Sequence, residues 1–329
     1  MKHSPDAMTE MKRYRGTNPI PDDFEDFWKE RMSEADREPL KAKLVPSDVI
    51  PPCPTSRAFD LWFRGMGAAK LYAKVFMPTE KLAGPGPWPM VMRFHGYPGR
   101  TRSWLENASW VGMGCILVSM DNPGQGGRSE DVGGFTGTTV AGHPILGLDG
   151  DPENLYYVRL YQDIRILFRT IAASEALNHS KTYIYGDSQG GGVGIATCAL
   201  NPKAIDKAGI LYPFLSDFQE VFELDADIVA YDSLRYYSRW FDATGAHEQE
   251  NFYKLGYIDT LSFAHLVACP VLFGTGLADT VCPPITQFGV YNNLTCPKKH
   301  LLYPDYGHEE IQAFDDELLS FFQEANNDE

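Results

Sequence analysis

Apolar and polar positions along the chain follow two alternating periods. Short runs rich in β-branched and aromatic residues recur at Ala58–Phe63, Leu71–Phe76, Met90–Phe94, Cys115–Met120, Thr182–Tyr185, Ala208–Tyr212, Pro270–Gly274 and Lys299–Tyr303. They read as strands, most of them buried. Gly65-Met66-Gly67 separates the first two and reads as a hairpin loop. Other stretches have helical spacing. Asn154–Ser174 puts Tyr157, Leu160, Ile164 and Leu167 on one stripe. Pro21–Met32 opens with a proline and acids, which suit a first helical turn and its dipole. Its Phe24, Phe27 and Trp28 share a face and predict packing on the core. Further helices are expected over Val193–Leu200, over Pro284–Tyr291 and in a terminal segment ending near Phe322. Residues 1–20 are polar and read as extended. Strands alternating with helices predict an α/β fold: a mostly parallel sheet with helices on both faces.

Two stretches break the alternation. Residues 128–150 hold six glycines. Long loops inside compact domains are usually functional, so this one is expected to surround a site. From Pro213 to Ala268 the chain turns aromatic, acidic and helical, and predicts a helical cap inserted over the sheet. Its aromatic residues read mainly as core, with room for one or two to line a pocket. The chain is thus expected to form a single domain over 1–329, with an N-terminal extension (1–50) and a cap (213–268).

Composition narrows the function. The chain's 329 residues suffice for a large core. A formal net charge of −15 argues against nucleic-acid binding and against an anionic membrane surface. Six scattered cysteines form no C-x-x-C pair and no zinc spacing. They read as free thiols, and no metal or cofactor is expected. Met1–Gly16 is charged and lacks the apolar run of a secretory signal, and no run is long enough to span a membrane. A cytoplasmic protein is expected.

The chemistry concentrates in Gly186-Asp187-Ser188-Gln189-Gly190, a G-x-S-x-G sequence between a strand and a small apolar helix. That context is the nucleophile elbow, a tight turn that strains a serine and exposes its hydroxyl. Its glycines let strand and helix approach closely. A serine nucleophile needs a base, and the base needs an orienting carboxylate, in the chain order Ser, acid, His. His308 follows the last strand and precedes the terminal helix, where the base belongs. Asp279 follows the preceding strand and is the expected acid, with Asp305 as a competitor only three residues from His308. His95 ends a strand and is expected to be a satisfied structural histidine. The backbone N–H groups of Tyr97 and Gln189 are the expected oxyanion donors.

With these residues in place the chain resembles the acetyl xylan esterase / cephalosporin-C deacetylase family, carbohydrate esterases of the α/β-hydrolase fold. The likeness rests on Asp23-Phe24-Glu25-Asp26-Phe27-Trp28, His95-Gly96-Tyr97, Gly124-Gln125-Gly126-Gly127, Ser188-Gln189-Gly190-Gly191, Cys282-Pro283-Pro284 and His308-Glu309. It implies an esterase that removes acetyl groups from small sugars or cephalosporin-type esters through an acyl-enzyme. It implies Ser188, Asp279 and His308 as triad, and Tyr97 and Gln189 as oxyanion donors. It also implies an intracellular homo-oligomer, often a hexamer. The alternative is another activity on the same fold: a longer-acyl esterase, a thioesterase or a peptidase. Two residues depart from the family pattern. Pro123 stands where the family has an arginine that braces the active-site loops. Asp187 puts a carboxylate beside the nucleophile, which disfavours a nearby oxyanion unless it points away or is paired.

Overall fold

A computed structural model of the protein describes residues 4–137, 142–224 and 231–324. Parts of the glycine-rich loop (138–141) and of the cap (225–230) lie outside them. The strands are β1 (Ala42–Pro46), β2 (Ser56–Arg64), β3 (Lys70–Pro78), β4 (Met90–Phe94), β5 (Ile116–Met120), β6 (Thr182–Asp187), β7 (Lys207–Leu211), β8 (Val271–Gly276) and β9 (Lys298–Tyr303). The helices are α1 (Pro5–Arg13), α2 (Phe24–Arg37), α3 (Glu80–Ala83), α4 (Trp104–Gly112), α5 (Tyr156–Ala172), α6 (Gln189–Leu200), α7 (Phe218–Glu223), α8 (Asp232–Phe241), α9 (Glu248–Leu255), α10 (Thr260–Ala264), α11 (Pro284–Asn293) and α12 (Gln312–Gln323).

The strands form one sheet in the order β1-β2-β3-β5-β4-β6-β7-β8-β9. β1 to β3 and the β3–β5 pair are antiparallel, and every pairing from β5 to β9 is parallel. The central strands are apolar at successive positions because both faces are covered. Met90 and Met92 enter one core while Val91 enters the other; Ile116 and Val118 are likewise separated from Leu117. Residues of α2, α5 and α6 build the first core. Trp110 and Val111 of α4, with Phe314 and Leu318 of α12, build the second. This is the α/β-hydrolase arrangement, a mostly parallel sheet between helices.

Several elements differ from the expected pattern, the short helix α3 among them. Residues 5–13 are helical rather than extended. Ser4 caps that helix by accepting from Ala7 N–H at 3.2 Å, Pro5 fills its first position, and Met11 is buried. Helix α4 was not expected either, although Ser103 and Glu106 form a capping box at its start. Edge strand β1 is too polar and exposed to carry an alternation signal. Between β7 and β8 the chain forms α7 to α10. The ring of Phe214 there stacks on Tyr97, with centroids 5.8 Å apart.

Candidate active site

Three parallel strands of the β6-β7-β8-β9 half of the sheet deliver the candidate residues to one end of it. Ser188 follows β6, Asp279 follows β8 and His308 follows β9. Ser188 has φ 56° and ψ −123°, a conformation that L-residues rarely adopt. Hydrogen bonds hold it there: Ser188 N–H donates to Leu211 O at 3.0 Å, and Ser188 O accepts from Gly192 N–H (3.1 Å) and Phe214 N–H (2.9 Å). Two glycines leave room for the turn. A Cβ on Gly186 would lie 2.0 Å from Gly190 O, and one on Gly190 would lie 2.2 Å from Phe94 O. Helix α6 therefore begins at Gln189, earlier than the apolar run from Val193 indicated.

His308 Nε2 lies 2.9 Å from Ser188 Oγ, and His308 Nδ1 lies 2.9 Å from Asp279 Oδ2. Asp279 is buried. Its other oxygen accepts from Val281 N–H at 2.8 Å and Cys282 N–H at 2.9 Å. Asp305, the competitor, is exposed, and Asp279 alone of the two bonds His308. The Tyr212 ring packs against the His308 imidazole at 4.5 Å. In this arrangement a proton can pass from the serine hydroxyl to the imidazole while the carboxylate fixes the ring. Asp279, Cys282 and His308 also group their ligating atoms within 4.8 Å. Both ring nitrogens of His308 are already committed to Asp279 and Ser188, so hydrogen bonding accounts for this cluster.

The loop carrying Tyr97 passes beside the nucleophile: a Cβ on Gly96 would sit 3.9 Å from Ser188 Cβ. Among the described residues neither Tyr97 N–H nor Gln189 N–H donates to the backbone of another residue. His95 is buried, accepts from Asn122 N–H at Nε2 (3.0 Å) and donates from Nδ1 to Gly96 O (2.8 Å). Burial holds its pKa below the usual value, which keeps it neutral. It ties two loops together. Among the described residues His308 is the histidine that hydrogen-bonds Ser188. His300 bonds Thr275 Oγ1 at 2.9 Å, and burial lowers its pKa to about 3.

Several contacts had no sequence signal. Gln125 and Gln189 exchange reciprocal amide hydrogen bonds of 2.8 Å, and Tyr157 donates to Gln189 Oε1 at 2.7 Å. Gln189 Nε2 also reaches His95 O at 3.3 Å. Tyr156 donates to Pro123 O at 2.7 Å. This buried network joins the loops that an arginine at position 123 would brace. Asp187 Oδ2 lies 3.5 Å from an Arg102 guanidinium nitrogen, which neutralises the carboxylate beside Ser188. His143, in the glycine-rich loop, contacts Tyr97: its Nδ1 lies 3.2 Å from the phenol oxygen.

The acetyl xylan esterase (AXE1) family matches residues 1–325. Acetyl xylan esterase 1 from Thermoanaerobacterium sp. JW/SL YS485 has a TM-score of 0.91 at 36% identity, over 98% of this chain and 98% of that one. An acetyl xylan esterase from Paenibacillus sp. R4 has a TM-score of 0.90 at 26% identity, over 96% of this chain and 98% of that one. Acetyl esterase Axe7A of Xylanibacter ruminicola is 26% identical over 294 residues, or 88% of this chain. The chain spans 63% of that relative's length. On the match across nearly all of its residues, the chain belongs to the acetyl xylan esterase family.

Proposed function

We propose that the protein is a serine acetylesterase acting on small acetylated saccharides. Ser188 Oγ attacks the acetyl carbonyl while His308 Nε2 takes its proton. Asp279 holds the ring and stabilises the imidazolium. The negative charge on the carbonyl oxygen is met by the N–H groups of Tyr97 and Gln189. Collapse breaks the bond to the sugar oxygen, which takes the proton from His308 and departs as a hydroxyl, and leaves the acetyl group on Ser188. Water, deprotonated by His308, then attacks the acyl-enzyme; the bond to Ser188 Oγ breaks, His308 returns the proton to that oxygen, and acetate is released.

The observation that carries this reading is the unbroken chain Ser188–His308–Asp279, with both contacts at 2.9 Å. The Arg102 contact to Asp187 supports it by removing net charge beside the oxyanion. Phe214 packs on Tyr97, and Tyr212 packs on His308. Helices α7 to α10 serve as a cap over that side. Six unpaired cysteines favour a reducing compartment such as the cytoplasm. No helix among the described residues is long and apolar enough to cross a membrane. Cephalosporin-type acetyl esters would fit the same chemistry. Exposed Trp240 and Phe241 favour assembly into a homo-oligomer, which light scattering would measure.

A p-nitrophenyl ester series, run beside acetylated xylo-oligosaccharides, tests the reading. The wild type should prefer acetate, and Ser188→Ala should lose hydrolysis while keeping its circular-dichroism spectrum. A preference for butyrate or longer acyl chains would instead indicate a larger-acyl esterase.

A further inference from the structure

One arginine joins the three loops that meet at Ser188. Arg102 lies five residues past Tyr97, in the loop between β4 and α4. Its backbone carbonyl accepts from Lys74 Nζ at 2.7 Å and from Asn107 Nδ2 at 3.1 Å. The neighbouring Thr101 N–H donates to Asp121 Oδ1 at 2.7 Å. These anchors, from β3, α4 and the loop after β5, fix where the side chain starts. The guanidinium then reaches three carboxylates: Glu106 of α4 at 3.4 Å, Asp187 of the elbow at 3.5 Å, and Glu310, two residues beyond His308, at 3.6 Å.

Exposure decides which of them matters. The Glu106 and Glu310 side chains are 48% and 79% exposed, and ion pairs in water contribute little. The Asp187 side chain is 12% exposed. Its Oδ1 is buried and has no hydrogen-bond partner among the described residues. The charge of this carboxylate is therefore met at Oδ2, by Arg102. That oxygen also lies beside the oxyanion loop: a Cβ on Gly96 would sit 4.0 Å from Asp187 Oδ2 and 3.9 Å from Ser188 Cβ. An uncompensated anion there would oppose the negative charge that develops on the carbonyl oxygen, and burial leaves little solvent to screen it. We propose that Arg102 is a positioning residue of the hydrolysis that acts through Asp187, drawing the charge of that carboxylate away from the oxyanion. The inference rests on the Ser188 esterase reading and makes the two residues interdependent: Arg102 is needed because Asp187 is charged. The effect falls on the transition state, because the carbonyl of the bound ester is still neutral.

The test is a double-mutant cycle in p-nitrophenyl acetate hydrolysis, with kcat normalised to the folded fraction seen by circular dichroism. Arg102→Gln should lower kcat roughly tenfold with KM within about twofold, since acylation and deacylation both pass through an oxyanion. In the Asp187→Asn background the same Arg102→Gln change should lower kcat by less than about twofold. Arg102→Lys keeps the charge and should stay within about threefold of wild type, and Glu106→Gln and Glu310→Gln within about twofold. An Arg102→Gln loss of equal size in both backgrounds would overturn the proposal, because it would make Arg102 a brace of its loop whatever the charge on Asp187. An Arg102→Gln enzyme with wild-type kcat, or an Arg102→Lys enzyme more than about tenfold slower than wild type, would overturn it too. A wild type without Ser188-dependent hydrolysis would remove the esterase reading and this proposal with it, whereas hydrolysis without the coupling overturns this proposal alone.

Discussion

Replacing Asp279 by asparagine tests how the carboxylate works, and the local hydrogen bonds dictate the outcome. Asp279 Oδ1 accepts two backbone N–H groups, from Val281 and Cys282, at 2.8 and 2.9 Å. In Asp279→Asn those donors retain the amide oxygen, so the amide NH₂ takes the place of Oδ2. There it faces His308 Nδ1, which Oδ2 contacts at 2.9 Å. An NH₂ group cannot accept a hydrogen bond. The imidazole must then offer a lone pair at Nδ1 and carry its proton on Nε2. Nε2 would meet the Ser188 hydroxyl as a donor and could no longer take its proton. A tautomer error of this kind costs about 10⁴-fold in kcat, equivalent to roughly 5.5 kcal/mol of barrier. The side chain keeps its shape, so the melting temperature should change little. Steady-state hydrolysis of p-nitrophenyl acetate provides the assay, with Asp305→Asn as a control expected to match the wild type. A folded Asp279→Asn enzyme within tenfold of wild-type kcat would refute the reasoning.

Two other outcomes follow from packing and from charge. Gly190→Ala drives a Cβ to 2.2 Å from Phe94 O, whereas at Gly112 no atom lies within 4 Å. Thermal unfolding should show a loss of several degrees or failure to fold for the first, and near-neutrality for Gly112→Ala; equal effects would contradict the close approach of α6 to β4. Asp163 is buried, accepts Met66 N–H at 2.7 Å, and desolvation raises its pKa to about 7. A carboxyl raised above its unfolded value supplies stability that is present at low pH and lost as the pH rises towards 7. Asp163→Asn should therefore melt at least about 2 °C higher than wild type at pH 8, with little gain at pH 4. Calorimetry at both values checks this, and equal gains would contradict it.

The sequence exposes some parts of this molecule far better than others. The elbow is legible because Gly186 and Gly190 are sterically required and adjacent in the chain. The positions of Asp279 and His308 are legible because chain order on a parallel sheet fixes which loops meet. The central strands are legible because burial on both faces leaves uninterrupted apolar runs. The Gln125–Gln189–Tyr157 network is not, since its members come from three loops and helices and follow no periodicity. Nor is the contact of Asp187 with Arg102, which depends on how the loop after β4 folds back. Without it the carboxylate beside the nucleophile looks like a defect. Helix α1 is short and polar, and it shows itself only through Ser4, Pro5 and the buried Met11.

The central claim is that acetyl transfer passes through Ser188. The most direct measurement is an acid quench of p-nitrophenyl acetate turnover, followed by peptide mass mapping. The account predicts one acetyl group on the peptide that contains Ser188, absent in Ser188→Ala. Full turnover with no acetyl on that peptide, or acetyl on another residue that survives in Ser188→Ala, would contradict it.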